Sequence, residues 1–236
     1  MKGLINMSVY ALSDLHGYLD LYKKIKDFLQ PEDRVYFLGD AIDRGPQSLE
    51  LAKAIYNDPQ FIYLKGNHED MLVETAINFY KDDTSWDYKF GLQMLMSNGG
   101  GATWDSLIAE EDNGRSFIYK LKNLDTEAIY YNAEGKEIHL CHAGFTPGCS
   151  KNLLWDRKHF NDSLDHVDDN YVIVHGHTPV AYQRGYESWN EARNDLTPNF
   201  YANGHKINID MGVYGTNVCC LLDLDTFEYC LFTIKK

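Results

Sequence analysis

Three short apolar segments in the first third of the chain alternate with three segments of helical spacing. The apolar segments are residues 9–12, 35–38 and 61–64, and the helical segments are residues 19–29, 48–56 and about 69–80. A repeated strand–helix order is typical of parallel strands that are joined by crossover helices. This order therefore predicts a largely parallel sheet, with its functional loops at the C-terminal ends of the strands.

The second half of the chain is richer in strand-like segments. Residues 128–131 and 137–140 flank Glu134-Gly135, which predicts a hairpin. Further strands are predicted at residues 171–174, 206–209, 218–222 and 229–232. We therefore expect an α/β (α+β) fold in which two mixed sheets pack as a central sandwich flanked by helices.

The segment between these halves has a different pattern. From about residue 81 to residue 127 the spacing is helical and irregular, and Asn98-Gly-Gly-Gly101 interrupts it. We interpret this segment as a mostly helical insertion or cap within a single domain that spans residues 1–236.

Five predicted strands run directly into metal-capable side chains. The five clusters are Asp14-Leu-His16-Gly17, Gly39-Asp40-Ala-Ile-Asp43-Arg44-Gly45, Gly66-Asn67-His68-Glu69, Cys141-His142-Ala-Gly144 and His175-Gly-His177. A single cluster of this kind is usually a surface loop or a satisfied core histidine. Five of them converging on one sheet edge would repel one another or stay unsatisfied unless cations bound them. The set therefore predicts a metal site.

The ligand types limit the metal and the reaction. Carboxylate and imidazole ligands without clustered cysteines favour Mn, Fe or Zn over a cysteine-rich structural zinc site. One central carboxylate can bridge two ions, an arrangement that suits in-line displacement at phosphorus. Arg44 and Arg157 add guanidinium groups that match phosphate oxygens, although a Trp-Asp-Arg triplet such as the one ending at Arg157 more often serves packing at a helix end.

These motifs resemble the calcineurin-like metallophosphoesterases, and within them the phosphoprotein phosphatases of the small bacterial and bacteriophage lambda type. The resemblance covers about residues 8–222 and includes Asn98-Gly-Gly-Gly101 and Ile209-Asp-Met-Gly212. Ser13 stands where the family usually has glycine, just outside the predicted ligands. Tyr214 stands near a tyrosine-bearing loop of larger relatives, and we assign it no catalytic role.

The resemblance implies a role for each matching residue. Asp14, His16 and Asp40 are expected to hold the first metal, with Asp40 bridging to a second metal held by Asn67, His142 and His177. His68 is expected to be the general acid, oriented by Asp43, for in-line attack of a metal-bridging hydroxide. Arg44, Arg157 and the Asn67 amide are expected to bind the phosphate. His175 is expected to serve packing or to support the ligands.

The expected activity is that of a serine/threonine protein phosphatase with two divalent metal ions, Mn²⁺ being favoured. A dinucleotide polyphosphate hydrolase is an alternative, because related enzymes use the same motifs on such substrates. Specificity for either is expected to depend on residues 81–126 and 180–203, where Trp and Arg residues follow no pattern. A non-catalytic metal-binding module is the third hypothesis, and it predicts loss of the general acid or of an arginine, both of which are present.

Composition excludes several other classes. The formal charge is −13, from 35 acidic and 22 basic residues, so binding to a nucleic-acid backbone is not expected. The apolar segments are too short to span a bilayer, and the N-terminus lacks an apolar signal-peptide core. The odd set of five cysteines contains no Cys-x-x-Cys pair, which favours reduced thiols in a cytoplasmic protein: Cys141, Cys149, Cys219, Cys220 and Cys230.

Overall fold

Two five-stranded sheets organise the computed structural model, which describes residues 7–81, 85–148, 152–161, 164 and 169–234. The first sheet has the order β10-β9-β1-β2-β3, in which β1, β2 and β3 are parallel and β9 and β10 are antiparallel. Its strands are β1 Val9–Leu12, β2 Arg34–Phe37, β3 Phe61–Tyr63, β9 Val218–Asp223 and β10 Tyr229–Thr233.

The second sheet has the order β4-β5-β6-β8-β7. Its central strands β5, β6 and β8 are parallel, and β4 and β7 pair antiparallel at the two edges. Its strands are β4 Glu127–Tyr131, β5 Glu137–Cys141, β6 Tyr171–His175, β7 Asn199–Tyr201 and β8 Lys206–Asn208.

Helices connect the parallel strands and fill the segment between the two sheets. The longer helices are α1 Leu19–Phe28, α2 Ser48–Asn57, α3 Asn67–Phe79, α4 Trp86–Ser97, α5 Gly101–Ala109 and α6 Asp112–Lys122. Three single-turn helices follow later in the chain: α7 Val180–Gln183, α8 Trp189–Ala192 and α9 Val213–Thr216. None of the helices in the described part of the chain has the length and apolar character that crossing a membrane requires.

Strand alternation explains how the layers pack. In β9, Cys219 and Leu221 face a core shared with the helices, whereas Cys220 and Leu222 face the second sheet. Successive side chains of a strand point to opposite faces, so a continuous apolar run serves both cores. The inter-sheet core also receives Leu140 from β5, so the two sheets form a sandwich with helices against the outer face of the first sheet.

The predicted sandwich of two mixed sheets with flanking helices is confirmed, and every strand expected from the sequence is present within a residue or two. The sequence did not predict β7, α7 and α8, which all lie within residues 180–203. These elements are only three or four residues long, too short for periodicity to reveal. Of the predicted reduced cysteines, Cys219, Cys220 and Cys230 are free thiols, and Cys149 lies outside the described residues.

Candidate active site

The C-terminal ends of five strands bring the predicted site residues together. Because β1, β2 and β3 are parallel, the loops that follow them lie side by side at one edge of the first sheet. The parallel pair β5 and β6 brings its own loops to the same place from the second sheet. The two sheets meet where the backbone N–H of His177 donates to Oδ2 of Asp14 at 3.1 Å. The predicted convergence is therefore present, but the five strand ends belong to two sheets and not to one sheet edge.

The backbone of these loops is bent into an unusual conformation. Half of the twelve non-glycine residues with positive φ in the described part of the chain are predicted site residues, namely Asp14, His16, Asp40, Asp43, Arg44 and His177. Side chains other than glycine rarely adopt this left-handed region, and each such residue costs about 1–3 kcal/mol. The rest of the fold must over-determine these loops, which is typical of functional sites.

Asp40 lies at the centre of the cluster. Its Oδ2 atom lies 3.4 Å from Nε2 of His142, 3.8 Å from Nε2 of His16 and 3.7 Å from Nε2 of His68. Potential ligand atoms of His16, Asp40 and His68 lie within 4.8 Å of one another, as do those of Asp14, Asp40 and His142. Asp40 is the residue that the two groups share.

Backbone carbonyls orient two of the histidines. Nδ1 of His16 lies 2.8 Å from the carbonyl oxygen of Ile42, and Nδ1 of His142 lies 2.8 Å from that of Leu38. A carbonyl can only accept, so both Nδ1 atoms carry hydrogen and donate it. This leaves both Nε2 atoms directed at Asp40, an orientation that suits metal ligation.

The Asn67 side chain joins the remaining predicted ligands. Its Oδ1 atom lies 2.8 Å from Nε2 of His142 and 2.9 Å from Nδ1 of His177. All three side chains are buried. An amide oxygen can only accept, so both imidazole nitrogens donate to it, and this arrangement places Asn67, His142 and His177 together beside Asp40.

Unsatisfied buried atoms show that this donor set fits cations. Among the described residues, Oδ1 of Asp14 and Nε2 of His177 are buried without a hydrogen-bond partner. A buried carboxylate oxygen without a partner is costly unless a cation binds it. The predicted ligands are three imidazoles, which can be neutral, an amide and two carboxylates. This set matches the ligand preferences of divalent transition metals.

Burial and neighbouring charges set the protonation of the cluster. Burial raises the pKa of Asp14 to about 6, whereas the charges of His142 and His68 outweigh burial at Asp40 and hold its pKa well below the usual value. The His142 pKa rises to about 10 because the attraction of Asp40 outweighs its burial. Burial lowers the His177 pKa to about 2. His177 is thus already in the neutral form that a ligand requires, and a cation at Asp40 would replace the positive charge of His142.

His68 pairs with Asp43 beside this cluster. Nδ1 of His68 lies 2.6 Å from Oδ2 of Asp43, and both side chains are buried. Burial lowers the pKa of His68, but the charges of Asp40 and Asp43 outweigh this and leave it raised. The raised pKa favours a protonated imidazole, as a general acid requires, and Nε2 of His68 lies 3.7 Å from Oδ2 of Asp40. Since the guanidinium of Arg44 can only donate and its Nη2 lies 3.1 Å from the same Nε2, protonation of that nitrogen requires Arg44 to move away from it.

The two predicted phosphate-binding arginines lie on different sides of the cluster. Arg44 reaches between two histidines, with Nη1 2.6 Å from Nε2 of His16 and Nη2 3.1 Å from Nε2 of His68. Its guanidinium carbon lies 4.4 Å from the ring centre of Tyr214. Arg157 is exposed, and its Nε donates to Oγ1 of Thr178 at 3.0 Å.

Glu69 has a structural role that the sequence analysis did not assign. Its carboxylate accepts hydrogen bonds from the backbone N–H groups of Asp40 and Ala41 at 2.8 Å and of Gly66 at 2.9 Å, and from the Tyr63 hydroxyl at 2.9 Å. Glutamate at the third position of a helix is the signal that could have revealed it, because such a residue often caps the helix start. Glu69 therefore fixes the loop that carries Asp40.

Ser13 also contributes, although it departs from the glycine that is usual in the family. Its hydroxyl donates to Oδ2 of Asp14, which leaves Oδ1 for a metal. A Cβ on Gly176 would collide with both side chains, so this close approach of the two sheets requires glycine there. His175 points away from the cluster, with Nε2 2.6 Å from the Tyr201 hydroxyl.

Comparison with known proteins agrees with this fold. The family model of the calcineurin-like phosphoesterases matches residues 7–208. The chain is 27% identical over 185 residues to serine/threonine-protein phosphatase 2 of Escherichia coli, covering 72% of this chain and 78% of that protein. It is 25% identical over 232 residues to a symmetrical bis(5'-nucleosyl)-tetraphosphatase of Legionella pneumophila, covering 89% of this chain and 72% of that protein.

A solved structure extends the likeness to the whole fold. A protein serine/threonine phosphatase from Saccharomyces cerevisiae superimposes with a TM-score of 0.54 at 14% identity, covering 100% of this chain and 82% of that one. The site and the fold together define a metal-dependent hydrolase of phosphoesters. The chain belongs to the calcineurin-like phosphoesterase family.

Proposed function

We propose that this phosphoesterase is a serine/threonine protein phosphatase that hydrolyses phosphomonoesters. One observation carries the proposal: Oδ2 of Asp40 lies within 3.8 Å of three imidazoles, one of which belongs to the His68–Asp43 pair. A cation-binding carboxylate and a proton donor therefore share one small volume. Hydrolysis of an alkyl phosphate requires both charge neutralisation and protonation of the leaving oxygen.

The residues that would hold two divalent ions are assigned from the family resemblance, and their closeness to Asp40 supports the assignment. Asp14, His16 and Asp40 would bind one ion, and Asn67, His142 and His177 would bind the other together with Asp40. Bound ions would supply charge neutralisation and activation of water for in-line displacement at phosphorus. We propose Mn²⁺ as the native metal, with Fe or Zn as alternatives, because oxygen and imidazole ligands suit these ions.

The chain's own side chains would bind the substrate and move the proton. Arg44, Arg157 and the Asn67 amide donate to phosphate oxygens, since guanidinium groups match their geometry. His68 releases the proton on Nε2 to the leaving oxygen of serine or threonine. Asp43 accepts from Nδ1–H of His68, so it keeps the ring oriented and stabilises its charged form. The presence of all these groups argues against a non-catalytic module.

The alternative substrate is a dinucleotide polyphosphate, which the name of the Legionella pneumophila relative supports. The cluster around Asp40 acts on a phosphoryl group and its leaving oxygen, and both substrates provide these. We propose the phosphoprotein because the acidic chain, with a formal charge of −13, disfavours a long polyanion. The free thiols of Cys219, Cys220 and Cys230 are consistent with the proposed cytoplasmic location.

A side-by-side assay tests the proposal. Phosphoserine and phosphothreonine peptides, diadenosine tetraphosphate and p-nitrophenyl phosphate are compared at equal Mn²⁺ concentration by kcat/KM. The proposal expects the phosphopeptides to exceed diadenosine tetraphosphate. A higher kcat/KM for the dinucleotide would replace the phosphoprotein with the alternative, and inactivity on all three would exclude phosphoester hydrolysis.

A further inference from the structure

A pocket of about 320 Å³ lies between α3 and α4 and ends at Trp155. Met71 of α3 and Phe90 and Met94 of α4 form much of its apolar wall. The Trp155 ring packs edge-on against the imidazole of His177, with 5.9 Å between ring centres. Trp155 therefore lines the pocket and also contacts His177 of the metal-capable cluster, so the pocket lies next to the site.

Two carboxylates stand in this pocket, which the uncharged polar residues Thr75 and Asn78 also line. Glu74 of α3 and Asp87 of α4 line it, both are exposed, and none of the described lining residues is basic. No ion pair within the described residues holds either carboxylate. An apolar cavity that carries two unneutralised carboxylates is complementary to a group with an aliphatic body and a cationic end.

A buried hydroxyl gives a second, independent indication of a ligand. Thr75 lines the same pocket and is 1% exposed, yet its Oγ1 has no hydrogen-bond partner among the described residues. Gly91 lies opposite, and a Cβ there would stand 3.2 Å from this oxygen. Most buried hydroxyls in folded proteins form a hydrogen bond. An unpaired hydroxyl in a pocket wall can therefore accept a hydrogen bond from a donor group of a ligand.

We propose that this pocket is a specificity site for an arginine or lysine side chain close to the phosphorylated residue of a protein substrate. The inference rests on the proposed protein phosphatase function and specifies its substrate class. The aliphatic stem packs against Met71 and Met94, and the cation lies between Glu74 and Asp87. The rings of Phe90 and Trp155 add cation–π attraction, which is stronger for arginine.

The same pocket discriminates against the alternative substrate. The carboxylates of Glu74 and Asp87 repel the phosphates of a dinucleotide that approach this side of the site. Acidic phosphopeptides are repelled for the same reason. A basic residue near the phosphate therefore distinguishes good substrates from poor ones.

A peptide scan tests the inference. Arginine is placed in turn at the three positions on each side of phosphothreonine in an alanine peptide, because each residue of an extended chain advances about 3.3 Å. The best arginine position is expected to raise kcat/KM about tenfold over the all-alanine peptide, and glutamate there to lower it. The rate on p-nitrophenyl phosphate, which does not reach the pocket, is the reference.

Variants of the two carboxylates provide the decisive comparison. The pair Glu74→Gln and Asp87→Asn is expected to remove the arginine advantage while leaving p-nitrophenyl phosphate hydrolysis unchanged. Glu74→Lys with Asp87→Lys is expected to reverse the preference in favour of glutamate peptides. Asp105→Asn, an exposed carboxylate of α5 outside the pocket, is the matched control and should keep the arginine advantage.

The outcomes separate this inference from the proposed function. Hydrolysis of phosphopeptides without any arginine preference, or a preference that survives both carboxylate changes, overturns the specificity site only. Loss of the preference in Asp105→Asn as well would also overturn it, by showing a general charge effect. Absence of metal-dependent hydrolysis of phosphopeptides and of p-nitrophenyl phosphate overturns the proposed function itself.

Discussion

Nδ1 of His68 lies 2.6 Å from Oδ2 of Asp43, and both side chains are buried beside the carboxylate of Asp40. The Asp43 carboxylate fixes the orientation of the ring, so Nε2 of His68 lies 3.7 Å from Oδ2 of Asp40, beside which we propose that the phosphoester binds. Helix α5 holds Asp43 in turn, because the backbone N–H of Asp43 donates to Oγ1 of Thr103 at 3.2 Å.

Replacing His68 with asparagine should lower kcat by about 10²–10⁴-fold on phosphoserine peptides, the range usual for a positioned general acid. The loss should be much smaller on p-nitrophenyl phosphate, because that leaving group scarcely needs a proton. Steady-state kinetics on both substrates measure the difference. An equal loss on the two would show that His68 does not act as the acid.

Removal of divalent metal should abolish activity and lower the melting temperature, and added Mn²⁺ should restore both, because a ligand that binds only the folded state stabilises it. Asp40→Asn should reduce metal content more than any other single ligand change, since Asp40 belongs to both metal-capable groups. Metal analysis and calorimetry measure these effects. Full activity in the stripped protein would contradict the two-metal proposal.

Arg157→Ala should weaken inhibition by inorganic phosphate as well as turnover, with unchanged metal content. Arg157→Lys should keep only part of the phosphate inhibition and of the turnover, because a point charge cannot reproduce the planar guanidinium. Thr178→Val should have a milder effect of the same kind, because Thr178 accepts from Nε of Arg157. If Arg157→Ala lowers only the melting temperature and leaves phosphate inhibition intact, Arg157 serves packing against Trp155 instead.

Glu69→Gln should lower the free energy of unfolding by about 1–3 kcal/mol, because an amide cannot accept from all four donors that the carboxylate satisfies. Metal affinity should fall as well, since the backbone N–H of Asp40 is one of those donors. Denaturant titration and metal titration measure the two effects. Glu134→Gln, on an exposed hairpin turn, is the control and should change neither.

Tyr214→Leu should weaken inhibition by inorganic phosphate several-fold, because the Tyr214 ring supports the guanidinium of Arg44 by a cation–π contact of about 0.5–2 kcal/mol. Tyr214→Phe keeps the ring and should stay close to wild type. The pair of variants separates the ring from the hydroxyl, which lies 3.3 Å from that of Tyr182. If Tyr214→Phe weakens phosphate inhibition as much as Tyr214→Leu does, the hydroxyl and not the ring has this role.

The sequence by itself determined the strands and the residues that end them. Apolar runs such as residues 9–12 and 61–64 are local signals, and the polar clusters that follow are read directly from the chain. The parallel order then implies convergence, because successive parallel strands end at one edge of a sheet. Local pattern and one topological rule were sufficient for this much.

Only the tertiary structure decided how that site is held and what surrounds it. The positive φ values of Asp40 and His177 occur in the loops that follow β2 and β6. Aspartate and histidine adopt this region more often than most residues do, but the sequence does not indicate which of them adopt it. The Arg44–Tyr214 contact and the pocket between α3 and α4 join residues that are far apart in the chain or on separate helices. Such contacts depend on the packing of whole elements, which periodicity along a single segment does not encode.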